Sequence, residues 1–210
     1  MASDPQTWAE LQTAIQDFLN NTVQITSTRA QQMIAFAERR FNRLLRVPEM
    51  EDAVTASVTA GTITLPTDFL ELRAAYLTTD PKTPLEQMSP AQLRGSYSAA
   101  ATGQPQNFAL QSGSEIVFGP TPDTTYTIVI NYFKKIPALS GSNTTNWLLT
   151  DHSDLYLYAS LLHAEFFGWN DDRLPLIKSA VDEMMGELRA QGIRKASSAS
   201  PQRIRSPQVV

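Results

Sequence analysis

The chain has 210 residues, 42% of them hydrophobic and 18% charged, which is enough apolar surface for one domain or two small ones and excludes wholesale disorder. It has no cysteine, so disulfides, thiolate nucleophiles and thiolate zinc sites are excluded together, and the composition fits assembly in a reducing cytoplasm. The net charge of −4 is unevenly spread: residues 191–210 hold Arg194, Lys195, Arg203 and Arg205 and no acid, so a body of about −8 ends in a basic segment.

In chain order, MASDPQTWAE lacks the basic start and apolar core of a signal peptide, so export is not indicated. Trp8, Leu11, Ile15, Phe18 and Leu19 recur at spacings of three and four, the stripe of an amphipathic helix, with Ser3 or Asp4 ahead of Pro5 as its cap. A second helix is expected from Thr28 to Val47. Ala30, Met33, Ile34, Ala37, Phe41, Leu44 and Leu45 form its apolar face and Arg29, Glu38, Arg39, Arg40 and Arg43 its polar one, and Pro48 ends it by pushing the preceding residue out of helical geometry. The few residues from Val23 to Ser27 predict an antiparallel hairpin of the two.

The period then changes from 3.6 to two. Ala53 to Thr59 reads as a strand, Ala60-Gly61 as a turn, and Thr62 to Leu65 as the returning strand. Pro66 to Phe69 makes a corner, and Leu70 to Thr79 reads as a further strand, although LELRAAYL also suits a short helix. Pro84 to Met88 offers a brief pairing, Ser89 caps a short helix with Pro90 at its first position, and residues 95–106 form a surface loop. Three strands follow, Asn107 to Gln111, Glu115 to Phe118 and Thr125 to Lys134. In the last, Tyr126, Ile128, Ile130 and Tyr132 alternate with Thr127, Val129, Asn131 and Phe133; both faces are largely apolar, which predicts a central strand.

Helical signals return at Asn146. Leu155 to Trp169 is apolar nearly all round, the pattern of a helix covered on several sides, and is too short and too interrupted by His163 and Glu165 to span a membrane. Asn170-Asp171-Asp172 breaks it, and Arg173 to Gln191 forms a last helix with Leu174, Ile177, Val181, Met184 and Leu188 on its stripe and Pro175 in its first turn. The expected fold is α+β. Residues 1–50 and 140–191 form a helical bundle from both ends of the chain, residues 51–139 an inserted small antiparallel β domain, and residues 192–210 a basic, extended C-terminal arm, too poor in apolar residues to order alone.

The chemistry-bearing residues crowd into one stretch. Asp151, His152, Ser153 and Asp154 adjoin one another, and His163 lies eleven residues on, nearly the same azimuth on a helix but ~16 Å along it. One metal cannot bridge that, since a helical histidine pair needs a spacing near three or four. Asp and Ser are the residues that cap a helix start, so Asp151 or Ser153 is read as the cap, with the acids placed at the positive end of the helix. Glycine-rich phosphate loops are absent, and Glu49-Glu51-Asp52 and Asp171-Asp172 sit beside helix ends as solvated charge. No catalytic residue, cofactor or metal is therefore assigned.

AELQTAIQDFLN followed by MIAFAERRFNRLLRVPEME, then the corner carried by Leu65, Pro66, Asp68, Phe69 and Leu70, then YTIVINYFKKIPALSGSNTTNWLLTDHSDLYLYASLLHA, all in this order, resemble the head-to-tail adaptor (head-completion) proteins of short-tailed bacteriophages. The resemblance covers Trp8 to about Leu188; His152-Ser153-Asp154 stands where His-Pro-Asp is the more usual run, a change that leaves the helix start intact. It implies a non-enzymatic structural protein of the virion neck, assembled in the host cytoplasm. Such a protein forms a ring, commonly of twelve copies, that docks on the portal after DNA packaging and receives the nozzle or other tail proteins below. It further implies that the C-terminal segment engages the portal while the β domain faces neighbours and the tail.

The charge pattern agrees independently. Arg194, Lys195, Arg203 and Arg205 suit an acidic groove, with Ile204, Val209 and Val210 as apolar anchors. The competing readings are another neck or tail component such as a stopper or nozzle subunit, a small hydrolase using Ser153, His152 and an acid, and nonspecific binding of channel DNA by the basic tail.

Overall fold

Thr7 and Glu10 start the first helix, α1 (Trp8–Leu19). The Thr7 hydroxyl accepts from the Glu10 amide (3.3 Å), and the Glu10 carboxylate accepts from the amides of Thr7 (3.1 Å) and Gln6 (2.8 Å), so donors that no helical carbonyl can reach are satisfied reciprocally. The bond from the Gln6 amide is the main reason the Glu10 carboxyl sits below its ordinary range. The cap is therefore Thr7 and not Asp4. Ser3 lies outside the described residues; the computed structural model describes residues 4–19, 25–79, 81–98, 100–164 and 173–198.

The second helix, α2 (Ser27–Leu44), is capped by Thr26, whose hydroxyl accepts from the Arg29 amide. Gln31 donates to Gln12 (3.2 Å) and Gln16 to the Ile25 carbonyl (2.8 Å). The partner's number falls as the first rises, so the helices are antiparallel; the linker around Val23 lies outside the described residues. Helix α2 stops at Leu44, short of the expected Val47, because Leu45 turns extended (φ −88, ψ 137). Proline constrains only its immediate neighbour. The earlier stop is held instead by the Arg189 guanidinium, which takes the Leu44 carbonyl with Nε (3.2 Å) and Nη2 (2.9 Å), and by the burial of Leu45 and Val47.

Glu38 corrects the sequence reading most sharply. It was placed on the polar face, yet it is 7% exposed, because Ile34, Glu38, Phe41 and Leu45 follow one another at four, three and four and share the buried stripe. Its Oε1 accepts from the Leu139 amide (2.7 Å) and from the Tyr156 hydroxyl (3.0 Å). Asn146 Nδ2 donates to that hydroxyl (3.1 Å) and to the Pro137 carbonyl (2.8 Å), while Asn146 Oδ1 accepts from the Leu149 amide (2.9 Å). One turn along α2, Asn42 Oδ1 accepts from the Ile136 amide (2.9 Å). A pair of polar residues four apart on α2 thus fastens the incoming segment 136–146, whose amides pair with no helix or strand. Burial pushes the Glu38 carboxyl above its ordinary value, against the pull of its two donors, and burial beside Glu38 raises the Tyr156 phenol.

Asn146 caps α4 (Trp147–Asp151), and α5 (Ser153–Leu161) follows across His152. No Asp151 or Ser153 side chain caps α5, contrary to expectation; the residue before it is His152 (φ −141, ψ 57), and the Asp154 carboxylate takes the Leu155 amide (2.8 Å). The expected helix Leu155 to Trp169 ends at Leu161. There the Ser160 hydroxyl occupies the Tyr156 carbonyl (2.8 Å), and the His163 amide bonds Ser160 three residues back (3.1 Å), tightening the last turn. Residues 165–172, including the expected break at Asn170-Asp171-Asp172, lie outside the described residues. The last helix, α6 (Leu174–Ser198), buries Ile177, Val181, Met185 and Leu188; Met185, four after Val181, holds the place expected of Met184.

The chain divides into two compact units, residues 1–49 with 136–210, and residues 50–135. The second unit opens after a 3₁₀ turn, Pro48–Met50, and contains β1 (Glu51–Val58), β2 (Thr62–Thr64), β3 (Phe69–Leu77), β4 (Thr83–Pro84), β5 (Glu86–Gln87), α3 (Pro90–Ser96), β6 (Asn107–Gln111), β7 (Glu115–Gly119) and β8 (Tyr126–Lys134). Among the described residues these make two four-stranded sheets, β1-β8-β3-β4 and β2-β7-β6-β5. As its two apolar faces predicted, β8 is an inner strand. Across it run the rows Ala56–Ile128–Leu77 and Val54–Ile130–Ala75. In the other sheet Ile63, Ile116 and Leu110 form a row beside Phe118 and Phe108, and the two sets close over one core.

One expectation fails here. Thr62 to Leu65 does not return along β1; it crosses to β7, where Ile63 is paired with Ile116. The β unit is rich in antiparallel pairs, as expected, with the two-residue β5 running parallel to β6. Ser89 caps α3 as expected, in a reciprocal box with Gln92, and in the β6–β7 hairpin Ser112 and Gly113 both take positive φ (53° and 69°).

Glu38→Ala strands a buried amide and a buried hydroxyl and should lower unfolding free energy by about 2–4 kcal/mol in urea melts. The raised pKa means that the native state binds this proton more tightly than the unfolded chain does. The contribution of Glu38 is therefore greatest below the unfolded value of 4.5 and is lost as pH rises through the folded one. Glu38→Gln keeps an acceptor and removes the titration, so it should compare more favourably with the native protein at pH 7 than at pH 4.5; an equal gap at both would contradict the assignment.

Candidate functional site

The residues that look most like a catalytic cluster form a helix junction. Ser153 is buried, which closes it to a substrate, and Asp151 and Asp154 are exposed on either side of His152. His152 and Asp154 line a cleft of about 70 Å³ against Met184, Glu187 and Gln191 of α6, room for about two waters. His163 is half-buried against the Phe36 ring on α2, with centroids 5.3 Å apart; burial and the nearby charges of Arg40 and Arg43 push its pKa down. The two histidines therefore face different helices. Among the described residues no cluster of three His, Asp or Glu side chains could hold a metal, and no helix is long and apolar enough to cross a membrane.

The basic C-terminal segment is only partly an arm. Helix α6 continues seven residues past the expected Gln191, carrying Arg194 and Lys195 on regular helix rather than extended chain. The cause is Gly192, which extends the buried stripe of Val181, Met185 and Leu188 by one more turn. Here the helix runs so close to the end of α2 that a β-carbon at 192 would lie 3.0 Å from Pro48 Cδ and 3.3 Å from Val47 Cγ1. Lys195 bonds the Glu49 carboxylate, and Arg194 Nε donates to the Ala190 carbonyl (3.3 Å). Burial raises the Glu49 carboxyl, but the Lys195 hydrogen bond, the backbone and the charges of Lys195 and His152 outweigh it and leave the pKa below its ordinary value. Arg203, Ile204, Arg205, Val209 and Val210 lie outside the described residues.

Two surface hollows on the helical unit were not singled out in the sequence. The larger, about 580 Å³, has a floor of Pro5, Ala9, Ala14, Phe18 and Leu157 and a rim of Asp4, Glu10 and Asp17. Its exposed ring, Phe18, meets Tyr158 edge-on at 6.4 Å, and Arg173 stands 5.6 Å from its centroid at one end. The smaller, about 260 Å³, is lined by Phe36, Arg39, Arg43 and His163, with the Arg39 guanidinium 5.5 Å from the Phe36 centroid. The helical period alone carries the signal for both, since Ala9, Thr13 and Asp17 recur every four residues on the exposed side of α1, and Phe36, Arg39 and Arg43 at three and four on α2. In the β unit, a hollow of about 640 Å³ is bordered by Glu51, Asp52 and Arg73, but Glu51 pairs with Arg73, and Asp52 with Lys134 (2.9 Å).

Comparison with known proteins gives one family. A family model described as SU10 adaptor protein matches residues 6–205, through both units and into the basic C-terminal segment. No curated protein matches the chain.

The two glycines of α6 should respond oppositely to alanine. Gly186→Ala meets nothing within 4 Å and should stabilise by about 0.5–1 kcal/mol, the ordinary helical gain. Gly192→Ala pushes against buried Val47 and the rigid Pro48 ring and should destabilise by roughly 1 kcal/mol in thermal or urea unfolding. Equal effects at the two positions would mean that α6 does not rest on the end of α2.

Proposed function

We propose that this chain, which belongs to the SU10 adaptor protein family and is a phage head-tail adaptor, forms the ring that docks on the portal once DNA is packaged and joins head to tail. The observation that carries this reading is the extent of the family match, residues 6–205, which takes in every element of both units. The reading places about twelve copies in the neck of a short-tailed virion, assembled in the host cytoplasm, with the inserted β unit toward neighbouring copies and the nozzle or other tail proteins.

The portal contact falls to the segment after Ser198. Arg203 and Arg205 flank Ile204, and Val209 and Val210 end the chain, so basic and apolar groups alternate with no acidic side chain among them. Arg194 and Lys195 stand at the root of this segment on α6, where the Lys195–Glu49 pair and the Gly192 contact hold them. A helical root fixes the backbone of Arg194 and Lys195 before any partner binds, so those two residues add little ordering cost to docking on an acidic groove. A structural role also accounts for the histidine junction: its buried Ser153 and its cleft of about 70 Å³ support packing of α5 on α6 and leave little room for a substrate.

Truncation after Ser198 leaves α6 whole and should abolish co-sedimentation with the purified portal. Binding by the full chain should weaken as salt is raised, since the proposed contact is between opposite charges. Undiminished portal binding by the truncated protein would overturn the assignment of this segment.

A further inference from the structure

We infer that the two hollows of the helical unit are the halves of one contact, in which the acidic hollow on α1 of one copy receives the basic face of α2 of the next. This rests on the ring reading above and adds which surfaces close the ring. Both hollows join an apolar floor to charged side chains, carboxylates lining the first and arginines the second, that are not neutralised among the described residues. Asp4 and Asp17 have no ion pair among the described residues, and Arg39 and Arg43 have no carboxylate partner there, whereas the neighbouring Arg40 is paired with Asp182 (2.7 Å). Exposed Phe18 on one side and half-buried Phe36 on the other supply flat apolar area between those charges.

The chemistry favours a second copy arranged head to tail. Two acidic hollows brought together, or two basic ones, set like charges across a closing apolar contact, which is strongly unfavourable, so a two-fold dimer through either face is rejected. The hollows share no lining residue, so each copy can use both at once. A contact between unlike faces repeats from copy to copy until it closes, and a ring requires that kind of interface. Lys195, Glu49 and the Glu38 network take no part, so the contact is separable from the fold.

The absence of native cysteine allows two thiols to be placed at will. Thr13→Cys lies in the acidic hollow, and Leu44→Cys, exposed, follows Arg43 of the basic one in sequence. The Gln12–Gln31 pairing of the antiparallel helices puts these positions about 20 Å apart within one copy, beyond a short bismaleimide linker. Portal-bound protein carrying both thiols should give a ladder of cross-linked multimers, and each single variant should stay monomeric. Glutaraldehyde, applied in parallel, reads the ring itself. A glutaraldehyde ladder without a thiol ladder overturns the assignment of faces and leaves the ring standing; no ladder with either reagent removes the ring and the contact together. Dimers from a single-thiol variant would show that like faces meet, and cross-linking confined to one chain would show that the two positions come within reach inside a copy; both defeat the inference.

Charge reversal gives a second arm. On the two-thiol background, Asp4→Lys with Asp17→Lys, or Arg39→Glu with Arg43→Glu, should each abolish the ladder alone. An equal mixture of the two variants should restore it, because every contact then pairs unlike charges. Restoration also excludes misfolding as the cause of the loss, and a failure to restore overturns the pairing.

Discussion

A carboxylate placed inside a helical bundle among neutral donors sets the constraint on which the helical unit depends. Glu38 is buried at the centre of α2, and both groups bonded to its Oε1, the Leu139 amide and the Tyr156 hydroxyl, are uncharged. Burial of an ionised group is expensive, and its raised pKa expresses that cost. The compensation lies in what the oxygen holds. Segment 136–146 belongs to no helix or strand, so its inward amides would otherwise be buried without acceptors. Glu38 and Asn42, four residues apart, face the Leu139 and Ile136 amides, and Asn146 passes the network on to the start of α4 and to Tyr156 of α5. Four separate parts of the chain are thereby fixed by one network, and the Tyr156 ring is packed edge-on to Phe41 (5.1 Å) beside it.

A second fastening point lies where α2 ends. Arg189 takes the Leu44 carbonyl, Gly192 allows α6 to approach Val47 and Pro48, and Lys195 reaches Glu49. Each contact alone is modest, and the ion pair is largely solvent-facing and worth little by itself. Together they hold α6 against the end of α2 as far as buried Gly192, and the exposed turn beyond it carries Arg194 and Lys195.

What the sequence revealed, and what it concealed, follows from whether a residue's environment is local. Periodicity identified most of the helical stripes of α1 and α2 and the alternation of β8, because those patterns are repeated several times within one element; Phe18 and Leu44, assigned to the stripes, are exposed. Turn chemistry identified Ser89, because a cap is decided within four residues. Glu38 was misplaced because residue type was weighed above spacing; its position at four from Ile34 and three from Phe41 already put it on the buried face. The partner of β2 was not legible at all, since β7 is about fifty residues away and nothing local separates a return along β1 from a crossing. The basic residues of the candidate site were legible as charge. Their helical setting was not, because it depends on a glycine whose use is visible only with Val47 beside it.

The acids of the helical unit divide into two populations, and the division bears on function. Glu10, Glu38 and Glu49 all have partners within the chain and pKa values displaced from the ordinary range, so their protonation is tied to folding. Asp4 and Asp17 stand exposed at the rim of an apolar hollow without such partners among the described residues. An assembly protein gains from keeping these roles apart. Groups that are satisfied internally contribute stability before any neighbour is present, while groups left unpaired can be neutralised only by a partner and therefore select for one. The same logic governs the cations, with Arg189 and Lys195 used inside the unit and Arg39 and Arg43 left at its surface. On this view the unpaired surface charge is what distinguishes an assembled copy from a free one, and the fold is arranged so that neutralising it disturbs nothing beneath.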